Sequence, residues 1–181
     1  VGWVLAALLL GGCVAAVLSL AGKIGAARKV QGTIASITDY PALNVLETAV
    51  VLNEGWRGHA AGQFAFVTSD QREGAHPYSI ASAWNPADRR LVFITKALGD
   101  HTRRLRDRLK VGLPVTVEGP YVCFNFEDPH PRQIWVGAGI GITPFIARLK
   151  QRAATPDATL IDLFHPTADF DQSAIDHLTK D

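Results

Sequence analysis

The sequence of 181 residues has no methionine, only two cysteines, and no charged side chain among its first 22 residues. Its first residue is Val1, so the chain is expected to be a fragment or a processed product, with functional parts cut away at its ends. Cys13 and Cys123 lie far apart and neither belongs to a CxxC pair. That removes a zinc site and a disulfide framework and leaves both as buried apolar residues. No histidine precedes His59, so the apolar N-terminal stretch cannot hold haem iron through imidazole. GxSxG, HExxH and a flanking carboxylate pair are all missing, which leaves hydrolase chemistry nothing to stand on. An excess of one charge is lacking too: Lys+Arg 18 against Asp+Glu 17 gives a net charge of +1, dispersed along the chain. Nucleic acid is therefore not an expected partner.

What is present, 48% hydrophobic and 19% charged residues, is the balance of a folded protein. Residues 1–22 as a helix would span about 33 Å, against about 30 Å of bilayer hydrocarbon. Lys23, Arg28 and Lys29 follow at once, which by the positive-inside rule puts everything downstream on the cytoplasmic side. A secretory signal peptide would need its positive charge before a shorter apolar core.

From residue 30 to 130, short β-rich runs at 32–38, 43–52, 64–68, 78–82, 91–95 and 115–118 are separated by turn residues. One helix is expected over 102–109, with Leu105 and Leu109 as its apolar stripe and Arg103, Arg104, Arg106 and Arg108 on a solvated face. After Pro131 the pattern becomes β-α-β, with strands at 133–136 and 159–164 and a helix at 143–153. It opens like a parallel nucleotide-binding sheet and stops too soon to complete one. The expected architecture is a transmembrane helix (1–24), a Greek-key-like antiparallel β-barrel of six strands plus one helix (30–130), and the first part of an α/β nucleotide-binding domain (131–181).

Three stretches carry chemistry. In the glycine turn, Gly137, Gly139 and Gly141 lead into Thr143 and Pro144, with Thr143 expected as the N-cap and Pro144 as the first helical residue. A tight strand-to-helix turn wants glycine on steric grounds alone, but the strand before and the capped helix after point to a dinucleotide pyrophosphate at the helix N-terminus. The second stretch is His76-Pro77-Tyr78-Ser79 on an expected strand, preceded by Gly62-Gln63-Phe64. The third runs through Ile94, Thr95 and Lys96 to Gly99 and Thr102, where another helix N-terminus offers an anion site. By itself, Lys96 reads as a solvated surface lysine. Asp162, His165, Asp169 and Asp171 match no common metal loop and read as strand-end and loop polars.

The order GQF, HPYS, LGDHT, GPY and GAGIGITPF over residues 30 to about 165 resembles the ferredoxin–NADP reductase superfamily, whose flavin strand carries an Arg-x-Tyr-Ser type motif. His-Pro followed by an aromatic residue and a hydroxyl is closer to the ferric reductase and NADPH oxidase branch. The resemblance implies an FAD-dependent oxidoreductase that takes hydride from NAD(P)H and passes single electrons to haem on transmembrane helices preceding Val1, with ferric iron or oxygen as final acceptor. It implies that Tyr78 lies along the isoalloxazine or ribityl chain, that the Ser79 hydroxyl stands near flavin N5 as the catalytic group, and that His76 and Pro77 complete the strand. Ile94, Thr95, Lys96, Gly99 and Thr102 then form the flavin pyrophosphate loop. His76 in place of arginine gives up bidentate phosphate binding, so another basic group must help. A reductase with a soluble ferredoxin or flavodoxin acceptor, and a membrane-anchored barrel without cofactors, are the competing readings. In many relatives a Tyr-Ser segment and an arginine after the second strand hold the 2′-phosphate of NADPH. Here His165-Pro-Thr-Ala-Asp169 follows, with no arginine or lysine until Lys180, so weak discrimination or a preference for NADH is expected.

Overall fold

In the computed structural model, which describes residues 2–23, 25–122, 124–169, 171–174 and 176, the period-two pattern of Val30, Gly32 and Ile34 turns those positions inward along β1 (Lys29–Tyr40). Five further strands join it: β2 (Val45–Leu52), β3 (Gln63–Thr68), β4 (His76–Ser79), β5 (Arg90–Lys96) and β6 (Pro114–Val122). They form one antiparallel sheet in the order β4-β3-β6-β1-β2-β5, with Ile34, Val50, Leu52, Ile80, Leu91 and Val117 in its core. Between β5 and β6, α2 (Asp100–Arg108) buries Leu105 and sets Leu109 against the same core. Two of its arginines are tied down, Arg106 to Asp39 at 2.6 Å and Arg108 to Glu73.

The barrel expectation is corrected to an open, rolled sheet. Its edge strands β4 and β5 meet at one isolated bridge, Ile80 to Phe93, where the Ala81 N–H donates to the Val92 carbonyl at 2.8 Å. No ladder continues from it. The Ile80 N–H is given to Gln63 of β3, so by strand alternation the amide groups of residues 77 and 79 face β5. Position 77 is proline and has no N–H to offer, which is how proline is tolerated on a sheet edge.

Before the sheet, α1 (Gly2–Leu20) has 19 residues, a mean hydropathy of 2.4 and no buried residue; by length and composition it can cross a membrane. Cys13 is therefore exposed, contrary to expectation, because α1 stands clear of the sheet. Cys123 and Lys180 lie outside the described residues. After the sheet, β7 (Arg132–Val136), α3 (Thr143–Ala154) and β8 (Leu160–Phe164) form a parallel β-α-β unit in which Trp135 pairs with Leu163. Phe145, Ile146 and Ala147 of α3 are buried, and Trp135 and Phe145 close an aromatic cluster with Phe126 at centroid separations of 5.1 to 5.6 Å.

Gly32 lies where β1 crosses β2. A Cβ there would stand 2.8 Å from Val50 Cγ1 and 2.9 Å from the Val51 carbonyl oxygen. Gly32→Ala is expected to cost about 1–3 kcal/mol through overpacking, read as a lowered denaturant midpoint at unchanged slope.

Candidate functional site

Beyond the Ile80–Phe93 bridge, the open edges of β4 and β5 face each other. Carried outward, the bridge register would set Ser79 against Ile94, Tyr78 against Thr95 and Pro77 against Lys96. No such pairs form, so the strands that carry the second and third sequence stretches border a split in the sheet. The structure also separates neighbours along β4. Ile80 is buried, and alternation turns Tyr78 and His76 to the same side, leaving Pro77 and Ser79 exposed on the outer face. The Tyr78 ring lies 6.0 Å from that of Phe93 and borders a small interior space with Ser69, Thr95, Leu105 and Leu109. Burial, helped by the charge of Glu73, pushes its phenol up to about 12, so it is a neutral hydroxyl at ordinary pH.

At the start of α2, the Thr102 hydroxyl accepts the N–H groups of Leu98 and Gly99, each at 3.0 Å, and donates to the Gly99 carbonyl at 3.1 Å. Two backbone donors thus converge on one oxygen, beside the open space that a side chain at position 99 would fill. Lys96 does not point into solvent. Its Nζ donates to Asp169 Oδ2 at 2.8 Å, joining the sheet to the loop after β8, and only 23% of the lysine side chain and 40% of the aspartate are exposed.

The three glycines of the turn differ in role. A Cβ at Gly137 would meet Ile142 Cα at 2.9 Å and the Phe145 ring at 3.0 Å, so this glycine lets the strand end pack on the helix. Gly139 takes φ +50, and both it and Gly141 face open space. A short 3-10 turn, Gly139–Ile142, precedes α3 and displaces the expected cap. Thr143 is buried, and its hydroxyl donates to the Ile140 carbonyl at 2.8 Å instead of receiving a helix N–H. Pro144 stands in the first turn as its second residue rather than its first, because the helix begins one residue earlier, at Thr143. His165 Nδ1 donates to the Gly137 carbonyl at 2.6 Å, which fixes the tautomer and holds β8 to the turn.

A cleft of ≈ 840 Å³, measured to its open mouth, lies between β2/β5 and this turn. Ile94 and Lys96 meet Gly139 there, together with Tyr40, His165 and Asp169. The fold keeps the other expected residues elsewhere. Tyr78 and Thr95 border the interior space, while Thr102 lines a separate groove with Arg103 and Arg106. Asp162 pairs with Arg132 at 2.8 Å, and Asp171 accepts from Ser173 at 2.5 Å.

Sequence reasoning passed over His59. Its Nε2 donates to the Ser82 carbonyl at 3.0 Å, while the Ser82 hydroxyl accepts the Val92 N–H at 3.1 Å. The loop before β3 is thereby fastened to the β4–β5 junction. Burial holds the imidazole below its ordinary value, against the opposing pull of the Ser82 carbonyl. Edge-on contacts with Trp84 at 5.6 Å and Trp56 at 6.4 Å complete the packing. Gly58 beside it lets the loop approach closely, since a Cβ there would stand 3.0 Å from the Trp84 ring.

Residues 30–124 match the family model described as FAD-binding domain. Over 92 residues the chain is 33% identical to ferric reduction oxidase 5 of Arabidopsis thaliana, covering 49% of this chain and 13% of the plant protein. The cytochrome P450 reductase of Amycolatopsis superposes with a TM-score of 0.65 at 22% identity, over 84% of this chain and 48% of that one. The flavohem-like FAD/NAD binding domain of nitric oxide dioxygenase from Vibrio cholerae O1 biovar El Tor gives 0.67 at 19%, over 83% and 70%. A ferredoxin NADP+ reductase from Neisseria gonorrhoeae with bound FAD and NADP gives 0.59 at 19%, over 76% and 57%. These structures share the fold, and the match at 30–124 takes in the rolled sheet, both edges of its split and α2. With more than half of its residues inside that match, the chain belongs to the FAD-binding domain family.

Proposed function

We propose that this chain is the flavin-binding part of a membrane-associated NAD(P)H oxidoreductase, comprising the span 1–24, an FAD-binding domain at 30–130 and the beginning of a nicotinamide-nucleotide domain at 131–181. One observation carries the reading: the sheet edges bearing His76-Pro-Tyr-Ser79 and Ile94-Thr-Lys96 join at a single bridge and stand apart beyond it. The donor set fits FAD. The Leu98 and Gly99 amides converge where a phosphate oxygen can replace the Thr102 hydroxyl, Lys96 adds a cation, and Gly99 leaves room. When bound, FAD supplies hydride acceptance and one-electron release.

The chain's own groups would orient and select. Ser79 offers an exposed hydroxyl on the outer face, while Pro77 beside it presents a flat apolar surface without a competing N–H. Tyr78 supports the strand from inside and keeps its phenol protonated. For the dinucleotide, Gly139 and Gly141 leave backbone open to a pyrophosphate ahead of α3, and Gly137 holds strand and helix together. Electrons would leave toward a haem or metal acceptor in the membrane that α1 enters, with the FAD site on the cytoplasmic side.

Nicotinamide choice turns on the loop after β8. The charge of Asp169 is engaged by Lys96, so the repulsion expected of it toward a 2′-phosphate is partly neutralised. Among the described residues no guanidinium follows β8, which is in keeping with weak discrimination or a preference for NADH.

Apoprotein titrated with FAD should turn yellow and quench flavin fluorescence; a chain that stays colourless would sink the proposal. Tyr78→Ala should lower FAD occupancy. Ser79→Ala should spare binding and slow flavin reduction roughly tenfold, the rate equivalent of one hydrogen bond of about 1.4 kcal/mol. Lys96→Ala should weaken FAD binding about tenfold, whereas Arg106→Ala, whose guanidinium is already committed to Asp39, should change it less than about twofold. The reverse ranking would overturn the loop assignment. Steady-state kinetics of the full-length enzyme should show kcat/KM for NADH equal to or above that for NADPH, and a large NADPH advantage would defeat the reading.

A further inference from the structure

The outer face of β4, β3 and β6 is aromatic, and it adjoins the exit of α1. The rings of Phe64 and Phe66 lie 5.5 and 5.7 Å from that of Tyr121 and 5.6 Å from each other. Ser79 stands opposite Phe64 and Pro77 opposite Phe66, so the exposed side of the flavin strand belongs to the same surface.

The segment that leaves α1 is fastened to this surface. Arg28 lies over the Tyr121 ring at 5.1 Å and donates to the Pro120 carbonyl at 3.3 Å. Lys29 pairs with Glu118 at 3.6 Å, and the Tyr121 hydroxyl donates to the same carboxylate at 2.7 Å. Gly25 passes so close to Glu118 that an added Cβ would collide with its carboxylate. From Lys23, which ends the apolar run, to Arg28 is five residues, which can span at most about 18 Å. The aromatic surface is thus tethered close to wherever α1 meets solvent.

Clustered aromatic rings rimmed by Arg28 and by Lys29, which Glu118 pairs, with Lys23 at the end of α1, match the chemistry of a bilayer interface. Aromatic side chains favour the headgroup level, and cations just beyond a span favour anionic lipid. We infer that this face lies against the anionic lipid surface that α1 enters, turning the Ser79 strand toward the membrane. The inference rests on the reading of α1 as a membrane span. It assigns the β3-β6 part of this surface to lipid, leaves the outer side of β4 to the flavin, and gives electrons leaving the site a short exit toward the bilayer.

The test uses the full chain with Cys13→Ala and Cys123→Ala, carrying Phe66→Cys labelled with an environment-sensitive fluorophore. It is reconstituted in vesicles of equimolar phosphatidylcholine and phosphatidylserine, with and without spin-labelled lipid. Gln31→Cys, two residues along β1 from Lys29 on the same face, is the second reporter should the Phe66 variant fold poorly. Val111→Cys, in the turn before β6, whose first residue Pro114 lies about 23 Å from Tyr121 by strand rise, is the control. The labels at 66 and 31 should lose most of their fluorescence to spin-labelled lipid while the label at 111 keeps its own. Quenching at 66 and 31 should also weaken in pure phosphatidylcholine. Protein that floats with the vesicles but shows equal quenching at all three positions overturns the inference and leaves the span intact. Equal quenching in both lipid compositions overturns the anionic part. Protein that fails to float overturns the span and the inference together.

Discussion

The Ala81 N–H reaching the Val92 carbonyl at 2.8 Å marks the one place among the described residues where the two edges of the six-stranded sheet bridge, and the geometry of the candidate site depends on it. A sheet of twisted strands that closed fully would consume its edge donors and acceptors in a ladder. One that stayed flat would leave them exposed along its whole length. Here the roll brings β4 and β5 into register at Ile80 and Phe93 and lets them part again within the span of Pro77, which has no N–H to extend the pairing. Ser82 and His59 reinforce the joint from the side by taking the Val92 N–H and bracing the loop before β3. A split held open at one end is a rigid place to put a flat ligand, because both walls belong to strands already paired on their other edges.

A second constraint joins the two parts of the chain. Lys96 and Asp169 are partly buried, so their ion pair is less screened than a surface pair, and it spans the cleft where the glycine turn faces β5. The same lysine is the cation that the proposed diphosphate site would use. A bound diphosphate and Asp169 would then compete for one ammonium group, tying cofactor binding to the position of the loop after β8. Arg106 and Arg108 are excluded from that competition because α2 spends them on Asp39 and Glu73.

Much of the fold was legible in residue order. The β-rich runs, the amphipathic helix around Leu105 and the β-α-β pattern after Pro131 each follow from local periodicity, and the observed elements lie close to the expected ones. The barrel was not legible, because closure depends on whether two edges far apart in sequence find each other, and no local pattern encodes that. The Thr143 cap failed for a related reason. A 3-10 turn over Gly139–Ile142 tightened the entry to α3 and sent the hydroxyl to a carbonyl.

By itself the sequence determined which residues are present in which stretches: an apolar span, an edge strand with a proline, a glycine turn before a helix, and enough ordered motifs to resemble a flavin oxidoreductase. These are properties of neighbours along the chain, set by side-chain chemistry and backbone period. Tertiary structure alone decided which of them meet. It turned Tyr78 inward and Ser79 outward, since the phase of β4 is set by Ile80 in the core. It gave Lys96 a partner 73 residues away and brought Arg28 over Tyr121. Contacts of that range form only once the sheet has rolled and the loop after β8 has met β5, because their geometry is fixed by the packing of the whole.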